Sequence, residues 1–131
     1  MSNEFRGTGN VADAPVVKTV MVGDDERKVT DLRVFFDEYR PDGRGGFEQK
    51  GGFWLDVNVW GERRATEVAQ HVKRGCRVHV VGRLVESRWT ANEGGEERRA
   101  LYVDADELYL SLARVAAVTL KPKREAQSIV A

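Results

Sequence analysis

Alternation of apolar and polar residues dominates this chain and predicts a β-rich fold. The alternation is clearest between residues 53 and 60, where every second residue is apolar: Phe53, Leu55, Val57 and Val59. Successive side chains of a strand point to opposite faces, so these four residues are expected to form a core face.

Other segments show the same pattern less regularly. Residues 3–11 predict a weak first strand, and residues 15–22 are either a second strand or a continuation of the first. Longer strands are predicted at 29–40, 77–90 and 99–112. Gly82 interrupts one of them, and a bulge or sharp bend is expected there.

One segment, residues 62–74, has helical spacing instead. Its apolar residues recur at helical intervals, and Gly75 is a natural stop signal. The glycine-rich residues 41–52 predict a mobile loop, and residues 92–95 predict a hairpin turn.

The predicted order is three strands, one helix and two strands. This order predicts an all-β fold, a five-stranded OB-fold barrel with one helix between strands 3 and 4. An unrelated small β-barrel and an α+β sandwich remain open from the pattern alone. The barrel domain is expected over residues 1–113, and residues 114–131 are expected to be a short, flexible C-terminal tail.

Length and composition agree with one globular domain. The chain has 131 residues, of which 41% are hydrophobic and 32% charged. It has no apolar run of membrane-spanning length and no signal-peptide pattern, so a cytoplasmic location without membrane association is expected. Cys76, the only cysteine, is expected to be a small buried filler in a strand.

The charge balance argues mildly against nucleic-acid binding. The chain has 21 basic and 21 acidic residues, whereas a surface that neutralises phosphates usually carries a basic excess. The objection holds only for evenly mixed charges, because a neutral total can combine a basic groove with an acidic face.

The polar face of the segment 53–60 carries the main functional signal. Asp56 and Asn58 are costly to bury, so the face they share with Trp54 and Trp60 is expected to be wet. Exposed rings of this kind stack on unpaired bases in sequence-tolerant single-strand binders. The alternative is that the two tryptophans cover a loop, the helix or a subunit interface.

Aromatic residues also stand beside cations at two strand ends, Arg88–Trp89 and Tyr39–Arg40. The glycine-rich segment adds two more cations, Arg44 and Lys50. Each cation alone fits a solvated surface charge. Together with the aromatic residues they favour a single-strand-binding surface.

The block from Gly52 to Gly61, the helix leading to Gly75 and the residues Arg88-Trp89-Thr90 resemble the bacterial single-stranded DNA-binding proteins (SSB). The likeness covers about residues 3–112. It implies an OB fold that coats single-stranded DNA in replication, recombination and repair. It also implies self-association, with a homotetramer expected and a dimer as the alternative.

The resemblance assigns roles by position. The base-stacking aromatic residues would be Trp54, Trp60 and Trp89, with Tyr39 or Arg40 at a further aromatic position. Cations that contact the DNA backbone would be Lys18, Arg63, Lys73, Arg74 and Arg88. The cations Lys73 and Arg74 close the predicted helix, where the helix dipole alone already favours positive charge.

Three departures from the family pattern bear on these roles. Asp56 stands where a basic residue is common, which is expected to weaken phosphate binding. The first strand is less apolar than usual, and this leaves the assembly state open. The chain ends in Gln127-Ser128-Ile129-Val130-Ala131, so recruitment of proteins through an acidic, Phe-terminated tip is not expected.

Two other functions stay open. The first is a partner-binding OB module of a primosome-like assembly, of the primosomal replication protein N type. The second is an enzyme, but His71 and His79 lack a neighbouring acid, nucleophile or metal-ligand spacing. The acidic run at residues 104–107 fits a solvated edge better than a metal site. No catalytic residue, metal or cofactor is therefore predicted.

Overall fold

The computed structural model describes residues 3–91 and 94–123. It contains one six-stranded sheet, one α-helix and one short 3-10 helix at Leu112–Arg114. The strands are β1 (Asn3–Val11), β2 (Val16–Val22), β3 (Asp25–Pro41), β4 (Phe47–Trp60), β5 (Arg77–Thr90) and β6 (Glu97–Leu110), and the helix is α1 (Glu62–His71). The mostly-β architecture with one α-helix is confirmed.

The strand pairings return to their starting point. The sheet order is β1-β5-β6-β4-β3-β2, and β1 also pairs with β3 through Asn10–Phe35 and Val11–Val34. Five strands therefore form a closed circuit of pairings, and β2 extends from it as a partner of β3. The pairing of β4 with β6 is parallel, while the other pairings are antiparallel.

Residues 16–22 are a separate strand and not a continuation of the first. The sheet thus has six strands instead of the five predicted. The helix lies between β4 and β5, which correspond to the predicted strands 3 and 4. A tight turn at Gly23, with φ of 65°, folds β2 back onto β3. Pro15 lacks an N–H, which is consistent with the interruption between β1 and β2.

The helix packs through a short apolar stripe. Ala65 and Val68 are buried, and the Thr30 hydroxyl donates to the Ala65 carbonyl at 2.6 Å. The helix ends at His71, three residues before the predicted end at residue 74. Val72 is already extended, with ψ of 125°, and buries its side chain in the core.

The core face predicted for β4 is largely confirmed. Leu55, Val57 and Val59 are buried against residues of the neighbouring strands. The prediction was wrong for Phe53, which is 43% exposed. Phe53 lies at the rim of the core, where its ring stacks on Phe36 at a centroid distance of 5.8 Å.

The segment 41–52 is mostly strand and not a loop. The strands β3 and β4 continue past the core as a two-stranded arm, and only residues 42–46 connect them. Pairing of Tyr39 with Gln49 and of Pro41 with Phe47 extends the ladder. The Asp42 carboxylate closes the turn by accepting from the backbone N–H groups of Arg44 and Gly46, at 2.7 and 3.1 Å. Glycine content alone does not distinguish this paired arm from a loop.

A partly buried ion pair lies at the base of the arm. The Arg77 guanidinium donates to both carboxylate oxygens of Asp37, at 3.1 and 3.2 Å, and to the Asn10 side chain at 3.2 Å. The Asp37 side chain is 2% exposed. The network joins β1, β3 and β5 next to the register shift that separates Asp37 from Tyr39.

The bulge expected at Gly82 is confirmed. The β5–β6 register shifts between Val81 and Gly82, which pair with Glu107 and Ala105. A Cβ atom on Gly82 would overlap the Asp104 carbonyl oxygen, so this close approach requires glycine.

The predicted turn at residues 92–95 falls partly outside the described residues, because residues 92 and 93 are not described. The last strand ends at Leu110, two residues earlier than predicted. Of the predicted tail, residues 124–131 lie outside the described range. None of the described helices is both long and apolar enough to cross a membrane.

Candidate nucleic-acid interface

The outward faces of β3, β4 and β6 form one continuous surface. In the β3–β4 register, Phe35 lies opposite Trp54 and Arg33 lies opposite Asp56. The parallel β4–β6 register places Tyr102 beside Asp56. Side chains that are paired across a ladder project from the same face, so these residues share one surface.

A shallow groove runs along this surface and has two adjoining parts. The first part, of about 670 Å³, is lined by residues of β3, β4, β5 and β6, among them Asn58, Ser87 and Trp89. The second part, of about 400 Å³, is lined by Arg33, Trp54 and Leu101 among others. Asp56, Ala100 and Leu101 line both parts. We call the two parts together the aromatic groove.

Trp54 stands on the wet face that the alternation predicted, and it is 49% exposed. Its ring lies 5.0 Å from the Phe35 ring at an angle of 54°, and the Arg33 guanidinium lies over it at 5.4 Å. Arg33 also donates to the Asp56 carboxylate at 3.0 Å. These neighbours hold the indole while about half of its surface stays open to the groove.

Trp60 lies on the same face but is half-buried. Its indole N–H donates to the Asp104 carboxylate at 3.1 Å. The ring lines a separate depression of about 560 Å³, together with residues such as Thr19, Lys28 and Glu62. Trp60 therefore adjoins the aromatic groove without lining either of its parts.

Trp89 is 49% exposed and lines the groove from β5. Its neighbour Arg88 projects from the opposite side of the strand, because successive side chains alternate. Arg88 donates to Glu86 at 2.5 Å and lies 4.0 Å from Glu97. The hydrogen bond from Arg88 lowers the pKa of Glu86.

Three further cations that the resemblance or the pattern singled out are paired with carboxylates. Lys18 contacts Asp31 at 2.7 Å, Lys50 contacts Glu48 at 3.2 Å, and Arg63 contacts Glu67 at 3.6 Å. The hydrogen bond from Lys18 to Asp31 raises the pKa of the lysine. Lys18 adjoins the aromatic groove through Asp31, which lines it.

The remaining candidates have no carboxylate partner within the described residues. They are Arg40 and Arg44 on the arm, and Lys73 and Arg74 after the helix. Tyr39, 53% exposed, also lies on the arm, where it pairs with Gln49, five residues before Trp54 on β4. The structure thus brings Trp54 and Trp89 together and places Arg63, Lys73 and Arg74 on or just after the helix, outside the groove lining.

Sequence reasoning missed Arg33, Phe35 and Tyr102. The alternation in β3 contains the signal for Arg33 and Phe35, because Leu32, Val34 and Phe36 point inward and the residues between them must point outward. Only the strand register reveals that Phe35 faces Trp54 and that Tyr102 lies beside Asp56.

His79 and Cys76 each contact other parts of the fold. Nδ1 of His79 lies 2.8 Å from the Thr8 hydroxyl and joins β5 to β1. Cys76 packs against the core just before β5. Among residues 3–91 and 94–123, no group of three or more potential metal-ligating side chains is found.

Comparison with known proteins places the chain among single-strand binding proteins. A family model described as the single-strand binding protein family matches residues 3–111. The single-stranded DNA-binding protein of Mycolicibacterium smegmatis is 35% identical in an alignment of 85 positions that covers 60% of this chain and 50% of that protein. The Deinococcus radiodurans single-stranded DNA-binding protein is 31% identical over 103 residues, 79% of this chain and 32% of that protein. The chain thus spans about half the length, or less, of the relatives it matches.

Two solved structures share the fold. The small single-stranded DNA-binding protein of Streptomyces coelicolor superposes with a TM-score of 0.71 at 22% identity, over 87% of this chain and 98% of that one. A Plasmodium falciparum SSB in complex with ssDNA superposes with a TM-score of 0.66 at 18% identity, over 85% and 96% of the two chains. With the family model matching 109 of 131 residues, this chain belongs to the single-strand binding protein family.

Proposed function

We propose that this protein binds single-stranded DNA without strong sequence preference and coats it in replication, recombination and repair. The observation that carries the proposal is the aromatic groove, in which Trp54 and Trp89 each expose about half of their surface. A half-exposed indole on a wet strand face contributes little to the core. A base stacked on such a ring is worth about 1–3 kcal/mol.

The bases lie in the aromatic groove and the backbone follows its edges. Trp54 and Trp89 provide the main stacking surfaces, and Trp60 adds a partly buried ring at the side. Arg40 and Arg44 on the arm are available to phosphates because no carboxylate pairs with them among the described residues. Duplex DNA binds far more weakly, because its bases are already stacked on one another.

The cations that are paired with carboxylates contribute less to the affinity for the DNA backbone than their number suggests. Lys18, Lys50 and Arg88 must exchange a carboxylate for a phosphate, so each releases fewer counterions on binding. Because the chain also has zero formal net charge, base stacking supplies most of the affinity for the polyanion.

The same proposal covers the finer architecture. The closed circuit of β1, β3, β4, β5 and β6 supports a five-stranded OB barrel, with β2 added to β3. The barrel domain extends over residues 1–113 and the remainder is a tail. Copies of the chain associate, as a homotetramer or as a dimer, and no covalent chemistry takes place.

Titration with oligo(dT), followed by intrinsic tryptophan emission, tests the proposal. Stacking on Trp54 and Trp89 is expected to quench the emission strongly at submicromolar protein. A duplex of the same length is the matched control and is expected to leave the emission nearly unchanged. Emission that oligo(dT) does not alter contradicts the stacking mechanism and favours a partner-binding OB module.

A further inference from the structure

Asp56 occupies a central position in the aromatic groove. It lines both parts of the groove, so it lies between the part that contains Trp54 and the part that contains Trp89. Its side chain is 59% exposed. Among the three residues that line both parts, Asp56 is the one with a charged side chain.

One oxygen of this carboxylate is available to a ligand. Oδ1 accepts from the Arg33 guanidinium at 3.0 Å, and within the described residues no hydrogen bond to Oδ2 is found. The contact with Arg33, which itself lies over Trp54, fixes the direction of the carboxylate. An ionised carboxylate only accepts hydrogen bonds, so Oδ2 can accept one from a donor group of a bound base.

The lining of the groove contains two groups that can only accept hydrogen bonds, the carboxylates of Asp31 and Asp56. The other polar side chains of the lining either donate only or can both donate and accept. Asp31 already accepts from Lys18 at 2.7 Å, and Asp31 lines only the part that contains Trp89. Asp56 is therefore the acceptor-only group that both parts of the groove share.

The four bases differ in what they present to such a groove. Cytosine offers its N4 amino group, adenine its N6 amino group and guanine its N2 amino group. Thymine has no amino group, and its single donor, N3–H, lies between two carbonyl oxygens. A carboxylate is the side chain that accepts from cytosine N4 in base recognition. Thymine that donated from N3–H would bring its flanking carbonyl oxygens close to the same negative charge, which weakens the contact.

We propose that Asp56 is a specificity-determining residue that biases the groove towards bases with an exocyclic amino group and against thymine. The inference rests on the proposed function, because it concerns which bases occupy the groove once single-stranded DNA is bound. The preference is one of base composition, and it requires no fixed order of bases.

Paired titrations test this inference. Oligo(dC) and oligo(dT) of equal length are titrated at slightly alkaline pH, where cytosine is neutral and the strand does not self-associate. The affinity ratio of oligo(dC) to oligo(dT) is compared between the wild type and Asp56→Asn. Because an amide both donates and accepts, the ratio is expected to fall about tenfold in this variant.

The ratio removes effects that are common to both strands. Loss of one negative charge strengthens phosphate binding equally for oligo(dC) and oligo(dT). The matched control is Asp24→Asn, which removes the same charge in the exposed turn between β2 and β3. Asp56→Glu, which retains the carboxylate, is expected to keep a preference for oligo(dC).

The outcomes separate the two proposals. A wild type that binds neither strand overturns the proposed function itself. A wild type that binds both, with the same ratio in Asp56→Asn and Asp24→Asn, overturns only the role of Asp56. If Asp56→Asn does not fold, Asp56→Ser provides the same comparison, since its hydroxyl is also both a donor and an acceptor.

Discussion

The indole N–H of Trp60 and the carboxylate of Asp104 are joined by a hydrogen bond of 3.1 Å that connects β4 with β6. The two strands pair in parallel through only three residue pairs, of which Asn58–Asp104 is the last. The bond therefore fixes the orientation of the half-buried Trp60 ring. It also adds a side-chain contact to the β4–β6 ladder, which is shorter than the β5–β6 ladder.

Removal of this acceptor is expected to destabilise the protein. In Asp104→Ala the part-buried indole N–H loses its partner, which costs about 1–3 kcal/mol of unfolding free energy. Urea denaturation measures the loss, and Asp106→Ala on the same strand is the matched control. Equal stabilities of the two variants would show that Trp60 does not depend on Asp104.

Trp54→Ala tests the stacking role with little effect on the fold. The side chain is 49% exposed, so its removal is expected to weaken oligo(dT) binding by about 1–3 kcal/mol while the urea midpoint changes little. Tyr109→Ala is the matched control for binding, because it removes a 54% exposed ring of β6 that does not line the aromatic groove. A variant that unfolds, or that binds as tightly as this control, contradicts the stacking role.

Asp31→Asn tests whether ion pairing restrains Lys18. Without its carboxylate partner at 2.7 Å, Lys18 can bind phosphate, so oligo(dT) affinity is expected to rise at low salt. The slope of log affinity against log salt is expected to steepen by up to about 0.7, the value for one phosphate. Asp24→Asn is the control, and a slope that changes equally in both variants argues against a specific release of Lys18.

The pH dependence of the Lys18–Asp31 pair follows from the direction in which the pKa of the lysine is shifted. The hydrogen bond to Asp31 raises the pKa of Lys18. The lysine's contribution to the pair is complete below its unfolded pKa and is lost only as pH rises through the folded value, in strongly alkaline solution. The effect of Asp31→Asn on the salt slope is therefore expected to be the same at neutral and mildly alkaline pH.

Asp37→Ala is expected to be the most destabilising of these substitutions. In the wild type the Arg77 guanidinium contacts both oxygens of the buried Asp37 carboxylate. The substitution removes this counter-charge. Loss of one partner of a buried pair costs about 3–5 kcal/mol. Chemical denaturation measures the loss against Glu38→Ala, its exposed neighbour, and a difference below about 1 kcal/mol would mean that water replaces the carboxylate.

Local patterns were sufficient to predict what depends on one strand alone. The alternation around Leu55 and Val57 identifies both the core face and the wet face that carries Trp54. The glycine at position 82 marks the bulge, because only close backbone approach explains it in a long strand. These features need no knowledge of the neighbouring strands.

Features that arise between strands could not be predicted in this way. The half-burial of Trp60 depends on Asp104, which follows it by 44 residues. The pairing of Lys18 with Asp31 depends on the β2–β3 register, and the arm beyond Tyr39 depends on strand pairing that outweighs a glycine-rich composition. The pattern along the sequence identifies residues of the site, but it does not show which residues of other strands they contact.

The six-stranded sheet divides into two halves at the shortest ladders of its closed circuit. One half contains β3 and β4 with the added strand β2, and the other contains β1, β5 and β6. The halves meet through three β4–β6 pairs and two β1–β3 pairs. The aromatic groove draws Asp31 and Asn58 from one half and Ser87 and Trp89 from the other. A bound strand that spans the groove thus clamps the halves together, and amide hydrogen exchange near Val57 and Val103 should slow first when it binds.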